Sequence, residues 1–131
     1  ACAVAVACLD IMRRERVVER GRDELAGYFA AKWRSLADHP LVGETRTLGL
    51  LGALELVPAR PSRRIFANRG AAGGACRDLC VANGVISRAV YDTMIAAPPL
   101  VITPGEIDEL VARVARALDQ TAARVAQEGW S

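Results

Sequence analysis

The stretch Thr103-Pro104-Gly105-Glu106 marks the start of a helix more firmly than any other local signal in this chain, and the helix it opens demands a second layer to lie on. Thr103 is placed as an N-cap, Pro104 at the first helical position, where its missing N–H costs nothing, and Glu106 where its carboxylate reaches back to the cap. Beyond it Ile107, Leu110, Val111, Val114, Leu118 and Val125 fall on one helical stripe. Ordering a helix of that length costs more entropy than one apolar stripe returns unaided. The helix must therefore be packed, and the expected class is α/β, in an α+β two-layer form with helices on a small sheet.

Material for the sheet lies upstream. Residues 41 to 57, LVGETRTLGLLGALELV, carry leucines and valines interrupted by Gly43, Gly49 and Gly52. That pattern fits two strands, or one bent strand whose glycines mark a turn or a close backbone approach. PARPSRRIFANRG, from 58 on, reads as loop, and a short helix is expected from about residue 70 to Ala82, with Asn83-Gly84 as its left-handed cap. VISRAV, residues 85 to 90, then reads as a strand.

The chain opens in helix, to about residue 37, with a bend near RRERVV where the register of apolar residues changes. Leu25, Tyr28, Phe29, Lys32, Trp33 and Leu36 make a stripe that includes the lysine stem, and Asp38-His39-Pro40 ends it. The first part, ACAVAVACLDIM, has no polar face before Asp10, so it is expected to be covered on nearly every side. It is too short to cross a bilayer and lacks the basic region of a signal peptide, and it reads as part of something longer.

Charge excludes two classes of partner. With 17 basic against 15 acidic residues and 5% aromatics, the chain has neither the clustered charge of a nucleic-acid groove nor that of a membrane-surface protein. Cys2, Cys8, Cys76 and Cys80 match neither C-x-x-C nor a zinc repeat; buried thiols in a reducing, cytoplasmic compartment are expected, and no metal.

Arg88 is the candidate site residue. Alternation in VISRAV puts it on one face with Ile86 and Val90, opposite Val85, Ser87 and Ala89. Two readings follow: a structural ion pair with Asp92 or Glu55, which spacing alone favours, or a receptor whose planar fork grips a carboxylate through two parallel hydrogen bonds. The other chemistry-bearing residues have plainer roles. His39 is expected at the surface or in a cap, Lys32 as a snorkelling surface lysine, and Asp23, Glu24, Asp108 and Glu109 as solvated faces or dipole partners.

HPLVGETRTLGLLGALELV, followed by NGVISRAVYDTMIAAPPLVITPGEIDEL, resembles the C-terminal part of the class III, pyridoxal-phosphate-dependent aminotransferases, and most of all their omega-amino-acid and amine:pyruvate branch. ACAVAVACLDIM is similar to the helix that in this family follows a Gly-His-Pro segment. The resemblance implies the small C-terminal domain of a fold-type I enzyme, with residues 1–40 leading from a large domain and 41–131 forming the small one. It implies a homodimer and a small-molecule amine and keto acid as substrates. Arg88 stands where the branch has the arginine that binds the substrate carboxylate and swings aside for a bulky amine, which turns the expectation from ion pair to anion receptor. The catalytic lysine and the acidic partner of the cofactor's pyridine nitrogen belong to the family's large domain; neither is in these residues, so no catalytic or cofactor-binding residue is expected in this chain. Tyr91 stands where the family usually has Gly, Thr47 likewise after Arg46, and the loop around 58 to 68 is short, departures that bear on the substrate range. The alternative from another class is a non-catalytic α/β module binding a partner chain or a small carboxylate.

Overall fold

The computed structural model describes residues 2–60 and 64–130, so Pro61 to Arg63 of the expected loop lie outside the described residues. Helix α1 (Cys2–Arg14) stops where Arg16 takes a left-handed conformation, φ 50°, and the chain resumes as α2 (Val17–Arg20), a π-helical turn (Gly21–Leu25), α3 (Ala26–Arg34) and a 3₁₀ turn (Ser35–Asp38). The expected bend is therefore present, and a change of helical pitch follows it. Strands β1 (Val42–Leu48) and β2 (Leu51–Leu56) come next, then α4 (Ala71–Ala82), β3 (Arg88–Val90), β4 (Thr93–Ala96) and α5 (Pro104–Glu128).

The glycine-rich stretch is two strands. Gly49, at φ 58°, opens a two-residue turn in which Leu48 pairs with Leu51. A positive φ there matches the right-handed twist of the flanking strands, and glycine adopts it without a steric penalty. The sheet order is β1-β2-β4-β3 with each pairing antiparallel. One face is covered. Leu54, Leu56, Met94 and Ala96 are buried with Phe29 and Trp33 of α3 and with Ile107, Val111, Val114 and Leu118 of α5 in one core. At Gly52 an added Cβ would lie 2.7 Å from the Trp33 ring, so the indole rests directly on the β2 backbone, and its Nε1 donates to the Ala53 carbonyl at 3.1 Å.

The two helix ends read from sequence close as expected. The Thr103 hydroxyl accepts from the Glu106 amide at 3.3 Å, and Glu106 accepts from the Thr103 amide at 2.8 Å. The Thr103 amide and, at 2.8 Å, the Thr103 hydroxyl both donate to the Glu106 carboxylate, which favours its charged form and holds it below its ordinary pKa. At the end of α4, Gly84 has φ 78°, its amide donating to Val81 at 2.9 Å and that of Val85 to Cys80 at 2.8 Å. That pair of bonds is a Schellman ending.

Three expectations fail. No residue of α1 is buried: Val4 is 75% and Leu9 53% exposed, because none of the described residues lies over it. Cys2 and Cys8 are consequently exposed thiols, while Cys76 and Cys80 are buried. The strand expected over 85–90 is only Arg88–Val90, since Val85 is taken up by the ending of α4 and Ile86 is 94% exposed.

Candidate substrate-binding face

The second face of the sheet carries no helix among the described residues. Its register aligns Arg46, Ala53, Ile95 and Arg88 across the four strands, and Glu44, Glu55, Thr93 and Val90 in the neighbouring row. Directly paired residues point to the same side, so an arginine stands at each end of a row with short apolar side chains between them.

The two arginines differ in their partners. The Arg46 guanidinium lies 3.1 Å from Glu44 and 3.5 Å from Glu55. Among the described residues the Arg88 side chain makes no hydrogen bond and no ion pair, its backbone alone being paired, with β4. Both acids considered for it are engaged elsewhere: Glu55 with Arg46, and Asp92 with the amides of Gly70 at 2.9 Å and Gly73 at 3.0 Å. Ile86, Arg88 and Val90 share the exposed side as alternation requires, and Val85 is buried on the other.

Arg88 stands between two hollows and lines neither. The larger, about 350 Å³, is bounded by Gly84 to Ile86, the Ala96–Pro99 segment and the first turns of α5. The smaller, about 160 Å³, lies at the turn between β3 and β4 beside Val90, Tyr91 and Arg69. Tyr91 has φ 52°, a left-handed conformation that glycine adopts freely and a bulky side chain does not, which is the physical reason a glycine suits that position. The ring is held by the Arg69 guanidinium, 4.4 Å from its centroid.

The remaining candidates are structural. Lys32 Nζ lies 2.7 Å from Asp108 and 5.2 Å from the Tyr28 ring centroid, and the Tyr28 hydroxyl donates to the same carboxylate at 2.9 Å. Asp108 thus joins α3 to α5 rather than facing solvent unpaired. Its hydrogen bond to Lys32 holds the ammonium above and the carboxyl below their ordinary pKa values. His39 Nδ1 accepts from the Leu41 amide at 3.2 Å and Nε2 lies 3.3 Å from Asp119, so it caps the turn into β1. Glu109 pairs with Arg113, Asp23 with Arg22, and Glu24 with Arg20. Among the described residues there is no group of three or more side chains suited to a metal ion and no helix long and apolar enough to cross a membrane.

In sequence Asp92 has two readings, a partner for Arg88 by spacing and, by the resemblance, part of the Asp92-Thr93-Met94 segment that holds the strand and its turn; neither includes the capping of α4 by its carboxylate. The available signal was the Gly70 and Gly73 spacing at the head of a helix with no side-chain cap of its own.

No family model matches the chain. Individual proteins do. The putrescine–pyruvate aminotransferase of Pseudomonas aeruginosa is 50% identical over 125 residues, 95% of this chain and 27% of that protein. The mitochondrial gamma aminobutyrate transaminase 1 of Solanum lycopersicum is 34% identical over 95% of this chain and 24% of its own length. Among solved structures, a transaminase with L-alanine superposes with a TM-score of 0.88 at 35% identity, covering 95% of this chain and 28% of that one. The omega transaminase of Pseudomonas jessenii in complex with PMP gives 0.87 at 35% identity, over 95% of this chain and 27% of that one. The chain spans about a quarter of the length of the relatives it matches. Over nearly all its residues, in sequence and in fold, the chain is homologous to the aminotransferases and corresponds to about a quarter of such a protein.

Proposed function

We propose that this chain is the C-terminal small-domain region of a class III, pyridoxal-phosphate-dependent aminotransferase that moves an amino group from an amine or omega-amino acid to a keto acid such as pyruvate, and that Arg88 receives the keto acid's carboxylate. Residues 1–40 lead in from the large domain and 41–131 form the small one. A cytoplasmic homodimer belongs to the same proposal. The observation that carries the role of Arg88 is its guanidinium, without a partner among the described residues, on the open face of the sheet, with Glu55 and Asp92 both committed to other groups. A planar fork on a strand binds a carboxylate in two parallel charge-assisted hydrogen bonds and fixes its orientation as well as its charge.

The residues of this chain do not fit pyridoxal phosphate. An anchoring amine must be free to lose its proton, and Lys32, the only lysine, is held as an ammonium by Asp108. The cofactor and the group transfer itself therefore belong, in this proposal, to the rest of the protein, and the contribution of these residues is recognition. In the complete protein, Arg88→Ala raises KM for the keto acid by roughly 10- to 100-fold, the worth of a charge-assisted pair. KM for an amine lacking a carboxylate stays within about twofold, because no contact of that kind is lost. Steady-state kinetics with each substrate varied in turn checks this, and equal effects on both contradict it.

A further inference from the structure

Arg88 sits on a three-residue edge strand, which is little structure to hold a substrate-binding side chain at a set height and direction. Its position is fixed from the turn that follows. Val90 pairs with Thr93, so Tyr91 and Asp92 form the two-residue connection between β3 and β4, and Asp92 is tied at three points. Its carboxylate oxygens accept from the Gly70 amide at 2.9 Å and the Gly73 amide at 3.0 Å, and its backbone carbonyl accepts from the Leu56 amide at 2.9 Å, at the end of β2.

The carboxylate bonds lie at the N-terminus of α4, where backbone amides lack helical partners and the helix dipole favours a negative charge. Gly70, the residue at the cap position, has no side chain to serve them, and Asp92 does so from 22 residues away. The fit is close on the backbone side as well. An added Cβ at Gly73 would lie 1.9 Å from the Tyr91 carbonyl oxygen, so the turn is seated against the first turn of the helix. Arg69 presses on the Tyr91 ring from the other side.

We propose that Asp92 is a positioning residue for substrate: by clamping the β3–β4 turn to α4 it sets where Arg88 presents its guanidinium. The inference rests on Arg88 being the carboxylate receptor, and the test separates the two. In the complete protein, Asp92→Ala raises KM for pyruvate by about 10-fold, since a misplacement on the order of 1 Å already costs binding geometry heavily. KM for a carboxylate-free amine stays within about twofold, as does kcat. Asp92→Asn keeps one acceptor oxygen and gives a smaller loss of the same kind; it carries the comparison if the alanine variant does not fold. In an Arg88→Ala background either substitution adds less than about twofold to the pyruvate KM, because the residue acts only through the arginine.

Loss of affinity for both substrates alike, no change in either, or an Asp92 effect that survives removal of Arg88, overturns the role of Asp92 and leaves that of Arg88 standing. If Arg88→Ala itself leaves pyruvate binding unchanged, the receptor reading fails and the positioning role falls with it.

Discussion

Trp33→Ala lowers the unfolding free energy by about 3–5 kcal/mol. The indole is buried between layers, its ring stacked on Phe29 with centroids 5.5 Å apart and its edge against the Gly52 backbone. Truncation removes the ring and opens a void that the glycine opposite cannot fill. It also takes away the donor to the Ala53 carbonyl. The loss is read as a fall in the urea midpoint followed by circular dichroism, with the slope unchanged. Trp33→Phe keeps most of the volume and loses only the hydrogen bond and part of the ring, so it costs less than half as much. A Trp33→Ala loss under about 1 kcal/mol contradicts the packing described.

Two adjacent glycines give substitutions of opposite sign. Gly73→Ala drives a methyl group into the Tyr91 carbonyl, and the obstacle is backbone held by β-pairing and by Asp92, not a side chain able to turn away. The expected cost is about 3 kcal/mol or more, at the upper end of what overpacking brings. Gly74 is one residue on in the same helix with nothing within 4 Å of an added Cβ. Gly74→Ala therefore stabilises, by up to about 1 kcal/mol, through helix propensity alone. The pair is measured by the same urea titration. Equal effects of the two substitutions contradict the seating of the β3–β4 turn on α4.

What the chain reveals without coordinates is what depends on neighbours in sequence. The Thr103–Glu106 box, the stripe of α5 and the Asn83-Gly84 ending each involve groups within one or two helical turns, and each closes as spacing dictates. The bend at Arg16 is legible as a change of apolar register, but the π-helical turn after it is not, because one extra residue in a turn leaves no distinct composition. VISRAV reads as six strand residues although only Arg88–Val90 pair and Val85 is drawn into the exit from α4, since a sequence pattern does not show which backbone groups are already spoken for. ACAVAVACLDIM carries the signature of a covered helix, and the cover is not among the described residues.

The site divides along the same line. Alternation places Arg88 on the side of Ile86 and Val90, and the resemblance to the amine:pyruvate branch gives it a role. That Glu55 is taken by Arg46 depends on the register of β1 against β2, and the engagement of Asp92 depends on a helix 22 residues upstream. Neither is a local property. The glycine usual at the position of Tyr91 was visible only by resemblance, and the positive φ there supplies its cause.

Most direct of all is a crystal structure of the complete protein holding an unreactive monocarboxylate in its substrate site. The account predicts both carboxylate oxygens within about 2.7–3.0 Å of the Arg88 guanidinium nitrogens, in parallel. An acidic side chain of the protein clasping Arg88, with the ligand's carboxylate bound elsewhere, would contradict it.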